Sequence, residues 1–100
     1  MYSDLYQTSV DEASREGDVI NTYNSEVHSL GSYTTAKNAS LSDRHFAGYN
    51  LGLLNTALNT AYVTPGQAQY IDCLLTAINT TNNVLNSINN WLMTTPVPLK

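Results

Sequence analysis

Apolar residues recur at helical spacing along three tracts of the chain. The clearest tract runs from about Pro65 to Met93, where Ile71, Leu74, Ile78, Thr81, Leu85, Ile88 and Leu92 step alternately by three and four. Three heptads of this kind predict a coiled-coil-type seam. Leu75, Val84 and Trp91 widen the stripe, as in bundle helices. A helix of this length spans about 40 Å. The second tract, about Ser42 to Tyr62, places Phe46, Tyr49, Leu53, Leu54, Ala57, Leu58 and Ala61 on one stripe. The first lies within residues 3–30, where Tyr6, Val10, Ala13, Gly17, Ile20, Asn24 and Val27 follow the same heptad step with weak occupants at Gly17 and Asn24.

Punctuation divides these tracts. Ser9 with Asp11 and Glu12 reads as a capping box, so regular helix is expected from about Ser9, with Met1–Thr8 as an arm or extra turn. Gly17 marks a kink, a break or a close helix contact. Residues 31–41, GSYTTAKNASL, read as a loop, and Ser42 as the N-cap of the second helix. Thr64-Pro65-Gly66-Gln67 combines a cap, a proline at the first helical position and a glutamine able to reach back, which predicts a third helix starting here. The short link makes the second and third tracts an antiparallel hairpin. Pro96 and Pro98 end helix formation, leaving residues 94–100 as an extended tail. The expected fold is therefore all-α: one domain of 100 residues, an elongated three-helix bundle or a hairpin with an added N-terminal helix.

Charge changes the picture. From Phe46 to Leu99 the only charged residue is Asp72, and the polar positions hold Asn and Thr instead of Lys and Glu. Asn, Thr and Ser make up roughly a third of the chain, well above ordinary usage. Soluble helices normally carry charges of both signs on their outer faces, so an amide-rich surface points to protein contact. Amides can set register by hydrogen bonding without the cost of burying charge. Net charge is −4, and the basic residues Arg15, Lys37, Arg44 and Lys100 are scattered, which argues against nucleic acid as a partner. The N-terminus MYSDLYQTS has no apolar leader segment, and no stretch approaches the length of a membrane span.

Candidate chemistry is sparse. His28 and Glu26, and His45 and Asp43, stand two apart and do not share a helix face. No HxxxH, HExxH or ExxH spacing occurs, so no metal ligands, cofactor site or catalytic residues are expected. Cys73 sits among Ile71, Leu74 and Leu75 as a packing thiol. Gly48 and Gly52 form a small-xxx-small pair suited to close helix approach. The seven tyrosines suit either packing or interfaces, and Trp91 suits an anchor for the tail. In length and hairpin shape the chain is similar to small secreted WXG-type proteins. It lacks their motif: the turn is Thr64-Pro65-Gly66, and Trp91 is followed by Leu92 and Met93.

These features lead to an expected non-enzymatic structural subunit of a protein assembly, a homo-oligomer or larger particle such as a virion or phage component. Its expected interface is Ile71, Leu74, Ile78, Thr81, Leu85, Ile88, Leu92, Asn79, Asn82, Asn86, Asn89 and Trp91. The alternative is a small acidic adaptor or inhibitor that binds one partner through Asp11, Glu12, Glu16 and Asp18. An enzyme would require His28 or His45 beside Cys73 or an acid cluster.

Overall fold

The computed structural model describes residues 2–98 and shows an all-α bundle of three helices. Helix α1 spans Tyr2–Ser25, α2 spans Leu30–Val63 and α3 spans Ile71–Thr94, with one 3-10 turn at Ala68–Tyr70 before α3. Each helix packs against the other two. Tyr2 clusters with Leu54, Ala57, Ala61 and Leu74 at one end, and Tyr23 with Tyr33, Ala36 and Trp91 at the other. The helices therefore run up, down and up. The molecule measures 58 × 18 × 15 Å. Its length follows from the 34 residues of α2, about 51 Å at the helical rise.

Three local expectations are corrected. Residues 31–41 are helical, because α2 begins at Leu30 and not near Ser42. Its start is fixed by a capping box built from two serines. The Ser32 N–H donates to Ser29 Oγ at 3.1 Å, and the Ser29 N–H donates to Ser32 Oγ at 3.0 Å. The Gly, Ser and Thr content that suggests a loop is overridden by this cap and by burial of Tyr33, Ala36 and Ser40. Helix α1 already includes Tyr2, and Ser9 is no cap: it is buried and its hydroxyl donates to Tyr6 O at 2.6 Å. Gly17 does not break α1.

The Thr64–Gln67 segment is a turn and not a helix start. The Gln67 N–H donates to Thr64 O at 3.2 Å, and Gly66 takes φ +85°. Proline second and a left-handed glycine third define a type II turn. The 3-10 turn follows, so α3 begins at Ile71 and not at Pro65. Beyond Thr94 the chain turns extended at Thr95, and Pro96, Val97 and Pro98 lie along a groove with Tyr23, His28 and Trp91. The last two residues of the expected tail lie outside the described residues.

Each helix buries one heptad-spaced stripe. On α2 it is Tyr33, Ala36, Ser40, Asp43, Ala47, Asn50, Leu54, Ala57 and Ala61. On α3 it is Leu74, Ala77, Thr81, Val84, Ile88 and Trp91. On α1 it is Tyr2, Ser9, Glu12, Glu16 and Tyr23, with Leu5 and Val19 half-buried between them. The α1 stripe thus lies one residue earlier than the expected Tyr6–Val27 series. Val27 is fully outside it, and two glutamates are inside. The many small side chains on α2 let its neighbours pack close to its backbone.

Candidate functional site

The middle of the bundle, between α1 and α2, is polar. Glu12 and Glu16 enter from α1, and Ser40, Asp43 and Asn50 from α2, all buried. The Ser40 hydroxyl donates to Glu16 Oε2 at 2.9 Å. Arg15, half out in solvent, approaches Asp43 Oδ1 no closer than 3.9 Å. Glu12 Oε2, Glu16 Oε1, Asp43 Oδ2 and Asn50 Nδ2 have no hydrogen-bond partner among the described residues. A buried carboxylate without donors is expensive, and such a group lowers its energy by keeping its proton. Burial is the main cause that raises the Glu16 carboxyl from an ordinary 4.5 to about 7. The Ser40 hydrogen bond lowers it, and Asp43, a nearby acceptor and negative charge, raises it further. Glu12 is raised as well, mainly by burial, with Arg15 opposing and Asp43 adding. Helix α3 contributes no charged group to this layer. It covers the same height with Val84 and Ile88, packed on Ala47.

Beside this layer a groove of about 550 Å³ runs between α1 and α2. Leu5, Phe46, Tyr49 and Leu53 form its apolar walls, Asp4, Asp11 and Arg15 its rim, and Glu12 and Asn50 its floor. Phe46 is 53% exposed, Tyr49 67% and Leu53 41%. These three belong to the expected inward stripe of the second helix, and the structure turns them outward. The inward places go to Ala47, Asn50, Leu54, Ala57 and Ala61, of which Leu54, Ala57 and Ala61 were expected. Gly48 and Gly52 also face outward, and a Cβ at either would meet nothing within 4 Å. They bring no helix of this chain close.

The expected interface residues of α3 divide into two sets. Leu74, Thr81, Ile88 and Trp91 are buried in the chain's own bundle, and Ile71, Ile78, Leu85 and Leu92 flank that seam half-buried. Asn79, Asn82, Asn86 and Asn89 are exposed on the outer face, where Asn89 Oδ1 accepts from Arg44 Nη1 at 3.1 Å. Trp91 anchors the end of α3 internally: it stacks on Tyr33 at 5.7 Å and meets Tyr23 edge-on at 5.4 Å. Sequence reasoning missed the buried acid layer and the apolar groove together. The signal available was the 4-3 step from Glu12 to Glu16 to Val19.

The remaining candidates stay apart. His28 stacks on Tyr23 at 4.3 Å, at the Trp91 end. Cys73 lies in the first turn of α3, about 27 Å along the helix from Trp91. His45 meets Phe46 on the outside of α2. Among the described residues no three of His, Cys, Asp and Glu are arranged to hold a metal ion, and no helix is long and apolar enough to cross a membrane. No protein-family model, curated protein or solved structure matches the chain.

Proposed function

We propose that this chain is a non-enzymatic structural subunit of a protein assembly that acts by helix packing. The carrying observation is the row Phe46, Tyr49 and Leu53, three large apolar side chains held together on the exposed face of a regular helix. Contiguous exposed apolar side chains mark contact surfaces, whereas scattered ones do not. The amide-rich, nearly uncharged outside of α3 supports the same reading, as a face suited to neighbours in a crowded particle such as a virion. The acidic-adaptor reading is weakened, because Glu12 and Glu16 are inside and leave only Asp11 and Asp18 exposed.

Size-exclusion chromatography with light scattering tests the proposal. The wild-type chain is expected to exceed its 11.0 kDa monomer mass as concentration rises. Phe46→Ser with Leu53→Ser is expected to restore the monomer with an unchanged far-ultraviolet circular dichroism spectrum. A wild-type monomer at every concentration, no less soluble than the double variant, overturns it.

A further inference from the structure

The three helices are not held alike. Every apolar cluster of the bundle joins α2 to α3 directly: Leu54 and Leu74 at one end, Ala47 with Val84 and Ile88 in the middle, and Tyr33 stacked on Trp91 at the other end. Helix α1 adds one buried aromatic to each end, Tyr2 and Tyr23, and no fully buried apolar side chain between them. Its other buried residues are Ser9, Glu12 and Glu16. The Ser9 hydroxyl is used within α1, on Tyr6 O. Among the described residues a single hydrogen bond ties α1 to the other helices, from Ser40 to Glu16 Oε2 at 2.9 Å. The four buried polar atoms without partners lie on α1 and α2, and none on α3. Three carboxyls face this layer, Glu12 and Glu16 from α1 and Asp43 from α2, against one cation, Arg15, which is half in solvent. The only charge of α3, Asp72, stands in its first turn, away from the layer.

We infer that α1 is a pH-released helix: as the carboxyls of the middle layer ionise, it lifts off a hairpin of α2 and α3 that stays folded. Ionised Glu16 and Asp43 repel across the α1–α2 contact, and detachment returns both to water. No such charge separates α2 from α3. The event is a local opening of the element with the fewest buried apolar contacts, the low-stability end of the molecule. Tyr2 and Tyr23 oppose the opening at every pH, whereas the acids make it depend on pH. Linkage sets its size. The Glu16 carboxyl sits at about 7 in the closed state against an ordinary 4.5, so its release raises the opening constant about seventyfold between pH 5 and pH 8. Glu12 acts in the same direction.

The test is amide hydrogen exchange of the full chain, followed residue by residue by NMR at pH 5, 6.5 and 8, with each rate corrected for the intrinsic effect of pH. Amides of α1 between Ser9 and Ile20 are expected to lose protection by about seventyfold over this range, while those of Leu54, Leu74 and Ile88 keep theirs. In Glu16→Gln most of the loss in α1 should vanish. An equal loss in all three helices overturns the inference, because the acids would then govern only global unfolding. Protection of α1 that does not change with pH overturns it as well, and so does a loss as large in Glu16→Gln as in the wild type.

Discussion

Replacing Glu16 by glutamine should stabilise this protein, and by an amount that depends on pH. The folded carboxyl has its pKa raised from 4.5 to about 7, chiefly by burial. The folded state therefore binds a proton more tightly than the unfolded chain does. For a raised acid the sign is clear: stability is greatest below the unfolded value, falls as pH rises from about 4.5, and levels off above about 7. A shift of this size corresponds to about 3 kcal/mol. The side chain is only 3% exposed, so solvent screening removes little of it. Glutamine keeps the shape and can still accept the Ser40 hydrogen bond, but never ionises. Glu16→Gln should match the wild type near pH 4.5 and exceed it by up to about 3 kcal/mol at pH 8. For a domain of this size that is roughly 12–24 °C in melting temperature. The assay is urea and thermal unfolding followed by circular dichroism at intervals between pH 4.5 and 8. The difference between variant and wild type reports Glu16 together with its interaction with Asp43, while carboxyls far from this layer cancel. A difference that stays constant within about 0.5 kcal/mol across this range, a resolution usual for such comparisons, would falsify the reasoning.

Other consequences are more local. Ser40→Ala removes the one hydrogen bond that favours the ionised Glu16, so a carbon-13 titration of that carboxyl should shift upward; an unchanged or lower midpoint refutes the assignment. Trp91→Ala empties the centre of the Tyr23–Tyr33 cluster. It should cost about 3–5 kcal/mol and abolish the near-ultraviolet circular dichroism signal, and a loss under about 1 kcal/mol would place the core elsewhere. Gly17→Ala should stabilise by about 1 kcal/mol, because α1 is continuous and a Cβ there meets nothing within 4 Å. A destabilised variant in urea unfolding would mean that α1 is interrupted.

How the sequence conceals its polar core is visible in α1. Tyr6, Val10, Ala13 and Ile20 make a plausible stripe because the rule that places charges outside excludes Glu12 and Glu16 from the inside. The true stripe lies one residue earlier, and burial raises the pKa of both its acids, Glu16 to about 7, which lessens the cost of holding them inside. On α2 the bias runs the other way. Phe46, Tyr49 and Leu53 attract the inward assignment by size, yet Ala47, Asn50 and Leu54 occupy it. In α3 the expected and observed seams share Leu74, Thr81 and Ile88, because there apolar and buried positions coincide. The all-α fold and the α2–α3 hairpin were legible from heptad spacing and the short link after Tyr62. The groove was not, since it depends on which of two neighbouring stripes faces inward.

The acid layer also bears on why these helices take one register. Glu16 faces Ser40 across the α1–α2 contact. A slip of one heptad along α2 would set it against Ala47, which has no donor, or against Tyr33, whose hydroxyl stands at the far end of its ring and not at the place of the Ser40 Oγ. Each slipped arrangement leaves another buried carboxyl unpartnered, so the polar layer lowers stability while penalising alternatives more. Small apolar seam residues such as Ala36, Ala47, Ala57 and Ala61 could not discriminate registers by shape. The variant Glu12→Leu, Glu16→Leu with Asp43→Val should therefore melt higher than the wild type at pH 8 yet lose uniqueness. Its amide NMR spectrum should broaden or show several sets of peaks. One sharp set, with Tyr2 still near Leu74 and Tyr23 near Trp91 by nuclear Overhauser contacts, would show that the aromatic clusters at the two ends fix the register without the acids.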